Sequence, residues 1–265
     1  MKRKNRHKNR LIFVKLALAI GIIMILASSN FEFIADEKIN SIKEIFAERK
    51  LNSIRDYIYA PAEHEEEPVV MPFDFMMLVN KKNTVARSFV PDNLVNLAEY
   101  VPATKGVIEL NARAASDYRE MISEMQEAGI TGLYAVSGYR SYATQEVLHN
   151  NKIASFNLSR EQAIIEAGMI VAPPGASEHQ TGLALDVSAK STGYALNSGF
   201  AKTEEYEWLS KNCHRFGFIL RYPEDKTEIT EIIFEPWHIR YIGAEHASLI
   251  YESGLCLEEY LLGTE

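Results

Sequence analysis

The chain has 265 residues, 47% hydrophobic and 24% charged, with only two cysteines. That composition suits one sizeable globular domain with appendages, and it excludes a collagen-like or low-complexity chain, a disulfide-dense scaffold and a Cys-only zinc site. The net charge of -8 conceals an asymmetry: residues 1–15 hold seven Lys/Arg and no acid, so residues 16–265 carry 21 basic against 36 acidic groups, a net of -15, which argues against nucleic acid as a partner.

In chain order, Lys2, Arg3, Lys4, Arg6, Lys8 and Arg10 precede Leu11 to Ala27, an apolar run broken only by Lys15. A charged stub before an apolar segment predicts membrane insertion with the basic end cytoplasmic and the acidic body exported. Ala27-Ser28-Ser29 makes a poor cleavage site and Lys15 can snorkel to the interface, so residues 1–29 are expected to form a cytoplasmic stub and single-pass anchor. The alternative is a removed signal peptide and a secreted protein; either outcome places the rest outside the cytoplasm. Residues 30–68 read as a helical stalk, with Ile34, Ile42, Ile45, Phe46, Ile54 and Ile58 at helical spacing, ending in the acidic linker Ala62 to Pro68. His64 in that run is expected to be solvated.

Residues 69–265 are expected to form one domain of α+β class, a small antiparallel sheet flanked by helices. Apolar periodicity predicts helices over Leu110 to Gly129, with Ala114, Tyr118, Met121 and Met125 on the buried stripe, and over Gln145 to Ile153 and Ser159 to Ala167. Leu133 to Ser137, Leu183 to Val187, Phe218 to Tyr222 and Ile232 to Glu235 read as short strands.

Chemistry gathers in three places. In Ser177-Glu178-His179-Gln180-Thr181-Gly182-Leu183-Ala184-Leu185-Asp186, a histidine lies seven residues before an aspartate. On a strand, Leu183, Leu185 and Val187 would share one face and Ala184 and Asp186 the other, so an acid enters an otherwise buried element. Glu235-Pro236-Trp237-His238 supplies a second acid and imidazole. Two histidines and one carboxylate suit a three-ligand zinc site with a fourth position for water, and the remaining carboxylate then serves as base. The third place, Ser137-Gly138-Tyr139-Arg140-Ser141-Tyr142-Ala143-Thr144-Gln145, carries an arginine through a glycine turn. Its planar charged fork suits a substrate carboxylate or a developing oxyanion.

Taken singly, each of these has a blander reading: a hydrogen-bonded structural histidine, a capping aspartate, a surface arginine. Taken together they are specific. The order SGYRS-x-x-x-Q, S-x-H-x-x-G-x-A-x-D, E-x-W-H, spread over most of residues 76–262, resembles the VanY-like D-alanyl-D-alanine carboxypeptidases, a branch of the zinc peptidases that includes hedgehog-type domains. Leu78-Val79-Asn80-Lys81, Phe216 to Pro223 and Glu235 to Tyr241 fit the same family. The resemblance implies the hedgehog/D,D-peptidase zinc fold, a Zn2+ cofactor held by His179, Asp186 and His238, and Glu235 as general base. It also implies that Arg140 and Gln145 face the peptide and that Ser177 lines the site. Trp237, between base and ligand, is expected either to wall the cleft or to pack in the core. Tyr139, Tyr142 and Tyr222 are further candidate peptide contacts, with structural roles the simpler reading.

The implied activity is removal of the terminal D-alanine from peptidoglycan stem peptides or their precursor. Two alternatives stand beside it: an L,D-carboxypeptidase acting on tetrapeptide stems, and a zinc-stabilised wall-binding module without turnover. His149, His214 and His246 lack a carboxylate at motif spacing and are expected to pack or be solvated. Cys213 and Cys256 are left unassigned between pairing and burial as free thiols.

Overall fold

The structure, a computed structural model, describes residues 75–263. The expected anchor and stalk, and His64, lie outside the described residues. Among the described residues no helix is long and apolar enough to cross a membrane.

Strands β1 (Leu94–Asn96) and β2 (Glu109–Asn111) form an antiparallel pair that leads straight into helix α1 (Ala112–Glu127). Asn111 caps that helix, its side-chain oxygen accepting the N–H groups of Arg113 and Ala114. Gly129, at φ 86°, lies just beyond its end, in the left-handed region that commonly follows a helix terminus. Ala114, Tyr118, Met121 and Met125 are all buried, as the periodicity requires.

Next come β3 (Leu133–Ser137), α2 (Tyr142–Ala154) and α3 (Arg160–Gly168), the two helices capped by Ser141 and Ser159. They are followed by β4 (Ala184–Ala189), α4 (Glu204–Asn212), β5 (Phe218–Leu220), the single turn α5 (Thr227–Thr230), β6 (His238–Tyr241), α6 (Ala244–Ser253) and α7 (Leu257–Leu262). The fold is α+β. Helix α4 has no counterpart in the sequence reading, although Thr203 caps it and Glu204, Glu205 and Glu207 occupy its first turn, an N-terminal signature.

The main sheet runs β3-β4-β6-β5, antiparallel throughout. Period-2 alternation divides its faces. Leu133, Ala135, Leu185, Val187, Ile239, Tyr241 and Phe218 turn to one side and join Tyr118, Met121 and Met125 of α1 in the core; Tyr118 meets Phe218 edge to face at 5.9 Å. Asp186, His238 and Arg240 belong to the other side. The register sets Asp186 directly opposite both Ser137 on β3, past a bulge, and His238 on β6.

One expected strand is absent. Ile232 to Glu235 is a loop, and the strand begins three residues later at His238. Glu231 takes a left-handed conformation at φ 58°. The N–H groups of Ile233 and Glu235 donate to separate places, the carbonyls of Met169 and Tyr222, and Pro236 has no N–H for a ladder. Glu235-Pro236-Trp237-His238 therefore stands at the entrance of a strand, not at the exit of one.

Both cysteines are free and buried. His149 is buried, with Nδ1 2.7 Å from the Val171 carbonyl. His214 stacks on Tyr251 at 3.8 Å, and His246 Nδ1 lies 2.8 Å from the Tyr260 hydroxyl. None of the three lines the cleft described next, although Val171, the partner of His149, does.

Candidate active site

A cleft of about 200 Å³ opens on the polar side of the sheet. Arg140, Gln145, Ser177, His179, Asp186, Glu235, Trp237 and His238 all line it, so every site residue singled out in the sequence reaches one place. Tyr222 lines it as well; Tyr139 and Tyr142 do not.

His179 arrives on a short 3-10 turn, Glu178 to Thr181, which Gly182 ends at φ 70°. The adjoining SGYR turn is built around it. A Cβ on Gly138 would collide with the carbonyl of Glu109, so only glycine allows this approach. The Gly138 carbonyl lies 2.7 Å from His179 Nδ1, while Arg140 N–H donates to the His179 carbonyl at 3.1 Å. With its Nδ1–H donated to Gly138, His179 turns the lone pair of Nε2 into the cleft.

That lone pair faces Asp186 Oδ2 at 3.2 Å, yet His179 Nε2 is buried and makes no aligned hydrogen bond. Two acceptors held this close repel unless a cation lies between them. His238 presents Nδ1 to the other oxygen of the same carboxylate at 3.1 Å. One atom from each of His179, Asp186 and His238 falls within 4.8 Å of the others, and all three residues are buried. Two imidazoles and a carboxylate with an open side suit zinc in its catalytic form, and the donor set fits.

Electrostatics separate the two histidines. Burial, reinforced by the Arg140 charge, lowers His179 to about 4, so it is neutral at physiological pH. Burial acts in the same sense on His238 but is outweighed by hydrogen bonds to Asp186 and Glu178, raising it to about 9. Asp186 lies well below the usual carboxylate range, burial being overcome by the two imidazoles and Arg140.

Glu235 is the opposite case. Burial raises it to about 8, and the Asp186 charge adds to the effect while His238 opposes it. Its Oε2 stands 3.8 Å from His238 Nδ1, beside the ligand cluster without joining it. A buried carboxyl whose pKa is shifted by its surroundings, sitting in a cleft, is a candidate for proton transfer. Arg140 places Nη2 3.8 Å from Asp186 Oδ2, and its Nε is buried without a protein partner. Gln145 is pinned through Nε2 to the Ala172 carbonyl at 2.7 Å, leaving a buried Oε1 without one. Ser177 begins the 3-10 turn. Trp237 lines the cleft and also packs on the core.

Sequence reasoning passed over Glu178, Arg221 and Arg240, three buried charges that gather behind His238. The available signal was periodicity: Arg240 is two residues beyond His238 on a strand, hence on the same face.

A group of donors that could hold a metal ion, with a buried carboxyl beside it, is an arrangement that metallohydrolases use. Comparison with known proteins narrows this. Residues 107–244 match the family model VanY, D-alanyl-D-alanine carboxypeptidase. The Bacillus subtilis (strain 168) protein YodJ is 38% identical over 201 residues, covering 73% of this chain and 69% of its own length. A D-alanyl-D-alanine carboxypeptidase of Enterococcus faecium is 34% identical over 192 residues, 70% of this chain and 57% of that enzyme. Among solved structures, the LdcB LD-carboxypeptidase superposes with a TM-score of 0.66 at 34% identity, covering 77% of this chain and 94% of that one. A mutant of the vancomycin resistance D,D-pentapeptidase VanY in complex with Zn(II) gives 0.58 at 36% identity, covering 70% and 98%. The class is thus metallo-carboxypeptidase. The chain belongs to the VanY D-alanyl-D-alanine carboxypeptidase family.

Proposed function

We propose that this protein is a zinc D,D-carboxypeptidase that removes the terminal D-alanine from peptidoglycan stem peptides. The observation that carries the reading is the convergence of His179 Nε2, Asp186 and His238 Nδ1 beside the buried Glu235 carboxyl, whose Oε2 stands 3.8 Å from His238 Nδ1. Zinc bound there supplies a Lewis acid that brings a water toward a pKa of about 7 and polarises the scissile carbonyl. Glu235 accepts the proton from the attacking water and hands it to the leaving amine, the two halves of one general acid–base cycle. Arg140 holds negative charge on the substrate, either the terminal carboxylate or the oxyanion formed at the carbonyl. Gln145, with its amide nitrogen committed to Ala172, offers Oε1 as an acceptor for a peptide N–H. Ser177 and Trp237 shape the wall. The basic and apolar start of the chain fits tethering at the outer face of the membrane, next to such a substrate.

The test is D-alanine release from a synthetic muramyl pentapeptide by the full-length protein. Release should stop on metal stripping, return with zinc, and be lost in Glu235→Ala; release that survives both treatments overturns the reading. Similarity to the LdcB LD-carboxypeptidase favours a second reading, cleavage of tetrapeptide stems. Turnover of tetrapeptide above pentapeptide would select it. Zinc retention and peptide binding without single-turnover cleavage would instead mark a binding module.

A further inference from the structure

The two candidate zinc-binding histidines are held from behind in different ways. A neutral backbone carbonyl, that of Gly138, orients His179. His238 leans on a carboxylate: Glu178 Oε2 stands 3.3 Å from its Nε2, on the side of the ring away from Asp186. For Nδ1 to present a lone pair to a metal, the ring proton must sit on Nε2, and Glu178 is placed to accept it.

Glu178 is itself wholly enclosed, with a side chain 0% exposed. An isolated carboxylate there would be prohibitively costly. It is paid for, in charge, by two arginines: Arg221 Nε donates to Oε1 at 2.7 Å and Arg240 Nη1 donates to the same oxygen at 2.9 Å. Oε2 is thereby left for His238. Arg221 carries a further brace, its Nη1 and Nη2 forming a two-pronged pair with Glu258 of α7 at 2.9 and 2.6 Å. Arg240 Nη2 donates to the carbonyls of Phe75 and Met77, and Asn80 donates to Glu258 at 3.3 Å. Two acids and two arginines balance, and every guanidinium is spoken for.

A buried quartet of this kind is weak as a source of stability, because well-packed apolar residues of similar volume commonly do as well or better. Its contact with one imidazole of the candidate centre gives it another use. We propose that Glu178 is a positioning residue of the metal centre: it fixes the tautomer and plane of His238, and Arg221, braced by Glu258 of the C-terminal helix, holds Glu178 in place together with Arg240. Geometry at the centre then depends on α7, whose residues do not line the cleft.

The inference rests on the reading that His179, Asp186 and His238 bind zinc, and the experiment separates the two. Zinc affinity of the full-length protein is measured by chelator competition for wild type, Glu178→Gln and Glu258→Gln, with the His238 Nε2 proton followed by NMR in the zinc-loaded state. Glu178→Gln is expected to raise the zinc Kd about 10- to 100-fold and to expose the Nε2 proton to exchange. Glu258→Gln, which touches no candidate ligand, is expected to move both readouts in the same direction by a smaller factor. A residue that only supports the fold would lower Tm and leave zinc Kd and the Nε2 proton unchanged; that result in a folded Glu178→Gln overturns the proposal. If Glu178→Gln does not fold, an unchanged zinc Kd in Glu258→Gln overturns it. Wild type that binds no zinc would defeat the underlying metal reading instead.

Discussion

The two faces of the β3-β4-β6-β5 sheet are built from alternate residues of the same strands, yet they obey different physics. On one face Leu185, Val187, Ile239 and Phe218 join the α1 stripe in an apolar core. On the other, Asp186 opposes His238 one residue along from the Leu185–Ile239 pair, and Glu178, Arg221 and Arg240 lie buried behind them. The apolar face contributes stability roughly in proportion to the area it removes from water. The polar face does the reverse: it holds like and unlike charges in a dry space, where each is costly alone. The contrast shows a division of labour within single strands, with fold stability on the odd-numbered residues of β4 and chemistry on the even-numbered ones.

Substitutions on each face should break this division in opposite directions. The largest effect is expected from Glu235→Ala, a loss of about 10³-fold in kcat with zinc retained and the fold intact by circular dichroism. Leu185→Ala should do the converse, costing about 3 kcal/mol in denaturant unfolding through the cavity it leaves, while kcat per folded molecule stays within a few-fold. Arg140→Ala is expected to lower kcat/KM about 10²-fold. A loss confined to kcat assigns Arg140 to the oxyanion, and a rise confined to KM assigns it to the terminal carboxylate.

Smaller effects sharpen the electrostatic half of the comparison. Metal must displace the proton that His238 carries up to about pH 9 in the metal-free protein, whereas His179, lowered to about 4, is already neutral. Apparent zinc affinity should therefore climb about tenfold per pH unit between pH 7 and 9 and then flatten; isothermal titration at several pH values checks the slope, and a flat profile would contradict it. The remaining effect is a gain in stability. Glu235 titrates near 8 when folded against an ordinary carboxylate value of about 4.5 when unfolded. Across that window the folded state holds a proton that the unfolded state has lost, so metal-free stability falls as pH rises from about 4.5 to 8. Glu235→Gln removes this term, and its metal-free Tm at pH 8 should exceed that of wild type. An equal or lower Tm would mean the carboxyl is not strained by its burial.

Much of this was legible in the chain itself. Helix α1 showed in the spacing of Tyr118, Met121 and Met125, and β4 showed in the alternation that set Asp186 apart from Leu185 and Val187. The cleft residues were found through three motifs, each weak alone. The misplacement of the strand at Ile232 to Glu235 has a local cause: an apolar run reads as a strand whether or not a partner accepts its hydrogen bonds, and here the N–H groups went to Met169 and Tyr222. Glu178 was hidden in plain view beside His179, because a glutamate in a polar loop reads as solvated until two arginines from 43 and 62 residues away are seen to close on it.

By itself, the sequence determined which side chains could do chemistry, the period that separates them from the core, and the family to which they belong. Tertiary structure alone decided that Asp186 and His238, 52 residues apart in the chain, stand opposite one another across two strands. It also decided that Glu235 lies beside the three candidate metal ligands and not among them. The reason is that periodicity is a property of one strand, whereas register and the burial that shifts a carboxyl group's pKa are properties of how strands and loops meet.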